Sequence, residues 1–144
     1  MKTLNDALQE ARKISGQIEK LLQGTKYYEY DDLSGLDFTL DDPDEIQLWE
    51  EMRGIMEHLH SVKTDIDYMS KPVLAYGVLH ENSNGRYEAC GREFSSGSVL
   101  EALIDDGYYD CPRWAITRIE HNGERYYLYG HKEVQLEGLK VRFR

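Results

Sequence analysis

Trp114–Gly130 reads WAITRIEHNGERYYLYG. Two strand-like runs flank Asn122-Gly123. A two-residue type I′ turn needs positive φ at both central positions, and Asn-Gly meets that need at least steric cost. The pattern predicts a β-hairpin with Glu120 facing Arg125, Ile119 facing Tyr126 and Thr117 facing Leu128. One face then carries Ala115, Thr117, Ile119, Tyr126 and Leu128, the expected core side. The other carries Trp114, Ile116, Arg118, Glu120, Arg125, Tyr127 and Tyr129. A lone hairpin is marginal in water, so neighbouring strands must cover it.

Working outward, the period from Pro72 onward is that of strands. Val73 to Glu81, Arg86 to Cys90, Ser98 to Ile104 and Leu139 to Phe143 are expected to join the hairpin, with turns at Asn82–Gly85, Gly91-Arg92 and Asp105–Gly107. Five or six short strands with Gly-rich turns suggest a small closed barrel.

The front half has the helical period. Thr3 is the expected N-cap of a helix over Leu4 to Gln23, with Asp6 favouring its positive end and Gly24 stopping it. Asp42, Pro43 and Glu45 start a second helix in a capping-box-like arrangement. It ends by Ser70-Lys71, because Pro72 disfavours helical geometry at Lys71. Apolar residues recur at Leu4, Leu8, Ala11, Ile14, Ile18, Leu21 and Leu22, and at Ile46, Trp49, Met52, Met56, Leu59, Val62, Ile66 and Met69. One stripe per helix implies an antiparallel pair. The expected fold is therefore α+β: a helical hairpin over residues 1–71 with an acidic, Tyr-rich connection, then a small antiparallel β-barrel over residues 72–144.

The 144 residues carry a formal net charge of −10, with 40% apolar and 31% charged residues. Residues 1–71 hold 16 acids and 8 cations, and residues 72–144 hold 11 and 9, so the acidity is concentrated in front. A nucleic-acid binder shows a basic patch, whereas this chain as a whole would be repelled by phosphate and attracted by a basic protein. Met1 to Gly24 is charged throughout, and no apolar run approaches the ~20 residues a membrane span needs. No leader or membrane contact is expected, and the expected location is cytoplasmic. Cys90 and Cys111 have no metal-ligand spacing; the plain reading is two reduced, partly buried thiols, and the sequence leaves open whether they pair.

The C-terminal stretch from Val73 to Arg144 resembles an uncharacterised domain-of-unknown-function family of small proteins from Gram-positive bacteria and their mobile elements. The pattern that carries the resemblance is Gly77-Val78-Leu79, Asn84-Gly85-Arg86-Tyr87, Ser96-Gly97 before Val99-Leu100-Glu101, Trp114, Thr117–His121, Tyr126-Tyr127 and Leu136–Arg142. It implies an SH3-like barrel without catalytic residues. Asp106 to Pro112 is longer than such a domain leads one to expect.

Three features bear on function. From Tyr27 to Met52 there is no Lys or Arg, and Glu29, Asp31, Asp32, Asp37, Asp41, Asp42, Asp44, Glu45, Glu50 and Glu51 are all acids. The plain reading is a solvated loop and a helix N-terminus, where acids are stabilised by the dipole. The functional reading is a surface that imitates a phosphate backbone, with Tyr27, Tyr28, Tyr30, Phe38 and Trp49 supplying contact area.

Second, Trp114, Arg118, Arg125, Tyr127 and Tyr129, with Tyr108 and Tyr109, form an aromatic and basic group on the barrel. It is either cross-strand packing or a face that binds peptide or nucleic acid. Third, Cys111 with His121 or His131 lacks an orienting third group, and His58 and His60 lack the i,i+4 spacing of a helical metal site. The expectation is a non-enzymatic protein with no cofactor and no metal. Its expected partner is a basic nucleic-acid-binding protein, inhibited as anti-CRISPR proteins inhibit theirs. The alternative is a nucleic-acid or peptide adaptor working through the barrel face. Paired helices also admit a homodimer.

Overall fold

The computed structural model describes residues 2–144. The chain divides into two compact units, Met1–Lys71 and Pro72–Arg144. The architecture is α+β, two helices followed by antiparallel sheets.

In the first unit α1 spans Leu4–Gly24 and α2 spans Pro43–Ser70. Thr3 caps α1: its hydroxyl accepts from the Asp6 N–H, and the Asp6 carboxylate accepts from the Thr3 N–H. Two orphan donors are satisfied reciprocally. Gly24 is not the stop. The Thr25 hydroxyl donates to the Leu21 carbonyl at 2.9 Å, and Lys26 takes the left-handed turn at φ 58°. A side chain thus closes the last turn without glycine. The Asp42 carboxylate caps α2 at the Asp44 N–H, and Pro43 sits in the first turn. Glu45 does not complete a capping box; it reaches back to the Thr39 N–H at 2.6 Å.

The helices run antiparallel. Ser15 Oγ donates to Asp67 at 2.7 Å, Lys63 lies 3.4 Å from Glu19, and Thr25 lies beside Met56. Ile18, Leu22, Leu33 and Met56 form the buried cluster, with Trp49, Met52 and Leu59 against it. The expectation of one stripe per helix fails. In α1 the buried line is Ser15, Ile18 and Leu22, while Ile14 and Leu21 face solvent. In α2 Leu48, Ile55, Val62 and Met69 form a second, exposed line. The expected stripe follows the buried line through Leu59 and then takes in Val62 and Met69 of the exposed one, while Leu48 and Ile55 lie outside it.

The second unit holds eight strands: β1 Ala75–Val78, β2 His80–Glu81, β3 Tyr87–Ala89, β4 Arg92–Glu93, β5 Val99–Ile104, β6 Arg113–His121, β7 Tyr126–Leu128 and β8 Lys140–Phe143. A five-stranded sheet has the order β1-β8-β5-β6-β7, and a three-stranded sheet the order β2-β3-β4. Leu79, Phe94, Leu100, Ala102, Ile104, Ile119, Leu128, Val141 and Phe143 are among the buried core. Phe94 and Phe143 stack at 5.4 Å.

The sheet does not close into a barrel. The expected strand from Val73 to Glu81 breaks at Leu79, whose N–H and C=O bond Leu139 and Gly138 instead, both at 2.9 Å. The chain there passes from one sheet to the other. Across the remaining gap Tyr87 and Tyr126 meet ring edge to ring face at 6.4 Å, through side chains and not through a ladder. Strands of two or three residues cannot extend a ladder far enough to close it.

The hairpin register is also shifted. Ile119 faces Leu128, Glu120 faces Tyr127 and His121 faces Tyr126. Asn122–Arg125 form a four-residue turn, because the Asn122 carboxamide oxygen takes the N–H groups of Glu124 and Arg125, both at 2.9 Å, and Gly123 turns at φ 94°. A slip of two residues leaves every side chain on its side. Ala115, Thr117, Ile119 and Leu128 are accordingly buried, and Ile116 and Tyr129 exposed. The thiols of Cys90 and Cys111 are free and both exposed, not partly buried.

Candidate partner-binding surfaces

The connection between α1 and α2 folds back on the helices. Leu33, at φ 61°, is buried in the helical cluster. Trp49 Nε1 donates to the Asp32 carbonyl at 2.8 Å, and Phe38 stacks on the Trp49 ring at 5.3 Å. Between connection and α2 lies an open groove of about 180 Å³, lined chiefly by Leu36, Phe38, Leu48, Trp49 and Met52, with Asp37 and Glu45 at its edge.

The acids divide into two groups. Glu29, Asp31, Asp37, Asp41, Asp42 and Asp44 are exposed, as are Glu50 and Glu51. Asp32 and Glu45 are half-buried and hold main-chain N–H groups of Ser34 and Thr39. The Ser34 N–H holds the Asp32 carboxyl below its ordinary value. Among the described residues, none of the ten acids lies within 4.0 Å of a cation.

Arg53 comes in over the Trp49 ring at 5.0 Å. Tyr27 and Tyr28 pack around His60, and the Tyr28 hydroxyl donates to Glu19 at 2.5 Å. That bond holds Glu19 below its ordinary value and pushes Tyr28 up. Tyr30 lies against Gly35, where a Cβ would come within 2.5 Å of the ring. Tyr27 and Tyr28 thus serve the helices, and the groove presents Phe38 and Trp49.

In the second unit the outward side of the five-stranded sheet gathers residues from five strands. Trp114 receives the Arg142 guanidinium at 4.4 Å and the Tyr76 ring at 6.0 Å. Arg118 lies 3.7 Å over Tyr129, and Lys132 lies 5.3 Å over Tyr127. Arg125 is in the turn and not on this face, so the expected Glu120–Arg125 pair does not form. Glu120 instead accepts from Arg118 at 2.5 Å and from Ser96 at 2.8 Å, and both bonds lower its carboxyl.

The sequence reading missed Tyr76 and Glu101. Glu101 is buried beneath Arg142 and Arg144, each donating Nε at 2.6 Å. The available signal was a single acid inside the apolar run VLEALI, together with the alternating cations of the last strand. Tyr108 and Tyr109 stand on the exposed loop before β6, away from the hydrophobic core. The bonded arginines leave this face richer in aromatic and aliphatic surface than in uncommitted positive charge.

No helix among the described residues is long and apolar enough to cross a membrane. Among the same residues no group of three or more His, Cys, Asp or Glu is placed to hold a metal. No curated protein and no solved structure matches the chain. Residues 77–143 match a family described as a domain of unknown function (DUF5348), so the C-terminal part of the chain is similar to that family.

Proposed function

We propose that the protein is a non-enzymatic protein-binding factor whose front unit docks on a basic, nucleic-acid-binding protein. In its most concrete form it is an inhibitor carried by a phage or mobile element, filling a groove that would otherwise hold a phosphate backbone. The observation that carries the reading is the run of ten acids, none within 4.0 Å of a cation among the described residues, two of which, Asp37 and Glu45, edge a groove floored by Phe38 and Trp49. Unpaired charge gives long-range attraction, and a desolvated aromatic anchor gives residence.

The test uses the immobilised full chain and the heparin-binding fraction of a bacterial lysate. Basic nucleic-acid-binding proteins are retained and released by moderate salt. A variant with Asp31, Asp37, Asp41 and Asp44 changed to Asn retains at least tenfold less. Equal retention by the variant, or elution indifferent to salt, rejects the reading.

A second reading rests on the Trp114–Arg142 stack and its exposed neighbours Tyr76 and Ile116. It makes the sheet face a peptide-binding or nucleic-acid-binding adaptor surface. The bonds of Arg142 and Arg144 to Glu101 favour peptide over phosphate. A gel shift lost in Trp114→Ala and Arg118→Ala would restore the nucleic-acid form.

A further inference from the structure

The exposed line on α2 has a regular spacing. Leu48, Ile55, Val62 and Met69 follow one another every seven residues. At 1.5 Å per residue the line is about 32 Å long. At 100° per residue these side chains lie roughly 80° to 140° to one side of the direction in which Met56 faces α1. On α1, Ile14 and Leu21 lie roughly 40° to 100° to the same rotational side of Ile18 and Leu22.

Because the helices run antiparallel, rotational offsets of the same sign place both lines on one side of the pair. The opposite side carries Glu19, Lys63, His60 and Tyr28, which bond or pack with one another. One side of the hairpin is therefore polar and closed, and the other is an apolar face of six side chains, each between 42% and 62% exposed. The buried hydrophobic cluster behind it, among the described residues, is small: Ile18, Leu22, Leu33 and Met56. A single helix pair is a thin layer, and helical layers are ordinarily covered by another.

The distribution of charge says what covers it. Residues 16–60, the end with the connection, hold twelve acids and three cations. Residues 2–15 and 61–71, the other end, hold four acids and five cations. A second hairpin laid on the face in reversed orientation sets each anionic end against a weakly cationic one. The parallel arrangement stacks two strongly anionic ends.

We propose that this face binds a second copy of the chain, reversed and related by a two-fold axis, to form an antiparallel four-helix bundle. A two-fold interface uses the same patch twice, and the seven-residue spacing is that of interlocking helices. A face about 32 Å long and two helices wide covers roughly 600 Å² per copy, somewhat below a standard interface, and so supports micromolar association. Leu48 also lines the groove beside Phe38 and Trp49, so the two surfaces share that edge, while Ile14, Leu21, Ile55, Val62 and Met69 lie outside the groove.

Sedimentation equilibrium of the full chain up to about 100 µM tests it, that being the range such an interface supports. The expected result is a reversible dimer of the 16.8 kDa chain. Ile55→Glu with Val62→Glu weakens association at least tenfold, and circular dichroism stays unchanged because both positions are exposed in the monomer. The milder Ile55→Ala with Val62→Ala weakens it in the same direction.

In a Cys90→Ser, Cys111→Ser background, spin labels at Leu48→Cys on one copy and Met69→Cys on the other come close. Labels at Leu48→Cys on both copies stand about 30 Å apart, one stripe length. A monomer throughout the range, or a dimer that the Glu variants leave intact, overturns the proposal. Close Leu48→Cys labels overturn the reversed arrangement.

Discussion

Glu101 on β5 and Arg142 on β8 stand opposite each other and share a hydrogen bond of 2.6 Å, with the carboxylate 2% exposed. Arg144 donates to the other oxygen at 2.6 Å. A buried carboxylate with two guanidiniums is costly to break from one side, since the partners remain as uncompensated charge. Glu101→Ala is expected to cost about 3–5 kcal/mol, read in urea unfolding. Glu101→Gln keeps the shape and loses the charge, and is expected to fall between Ala and wild type. A loss below about 1 kcal/mol for Ala would mean that the pair behaves as an exposed one.

This pair also shows where the sequence stops being legible. The run VLEALI reads as a buried strand, and it is one. Nothing local says that Glu101 meets side chains 41 and 43 residues away. Parity along the hairpin was readable because strand alternation has period two, so the two-residue slip at Asn122 changed partners without changing faces. Closure of the barrel was not readable. It depends on hydrogen bonds between strand edges, and strand count does not determine these. In α2 the period named the line that packs in the helical cluster, Trp49, Met52, Met56 and Leu59, but carried it on through Val62 and Met69, which are exposed. Of the candidate surfaces, the acidic run was plain in the sequence. The groove floored by Phe38 and Trp49 was not, because it depends on how a loop folds back.

Gly77 lies against Cys90. A Cβ at residue 77 would stand 2.5 Å from the Cys90 Sγ, and that sulfur donates to the Tyr76 carbonyl at 3.0 Å. Gly77→Ala is expected to destabilise the second unit by about 1–3 kcal/mol, as overpacking does. Cys90 is itself held at φ 53°, where glycine is easier. Cys90→Gly therefore removes the clash and relaxes the backbone. The double variant should recover most of the loss in thermal melting. Additive losses would show that the two positions are not coupled.

Trp49 holds the connection in two separable ways, by its bond to the Asp32 carbonyl and by its stack with Phe38. Trp49→Phe keeps a ring and loses the donor. The expected cost is about 1 kcal/mol, with the Asp32 carbonyl left to water. Trp49→Ala loses both and also opens the cluster around Met56, so it should cost about 3 kcal/mol or more. Thermal melting separates the two, and amide hydrogen exchange of residues 30–40 should rise more in Ala than in Phe. Equal exchange in both variants would mean that the stack contributes nothing to ordering the connection.

The pairing of the helices should depend on pH through Asp67. Its carboxyl accepts from Lys63 first and from Ser15 second, and both hold it below the ordinary 3.8. A depressed carboxyl contributes stability that is fully present above pH 3.8 and is lost as pH falls through the lower, folded value. Lys63 is the mirror case. Asp67 raises it above 10.5, so its share is present below pH 10.5 and lost as pH rises through the folded value. The Asp67 side chain is 42% exposed, so solvent screens the pair and the gain stays within about 1 kcal/mol. Asp67→Asn keeps an acceptor for Ser15 and loses the ion pair. Its melting temperature should lie a few degrees below wild type at neutral pH. The gap should close as the solution is taken well below pH 3.8. A gap of constant size across that range would assign the difference to packing at the helix seam and not to the charge of Asp67.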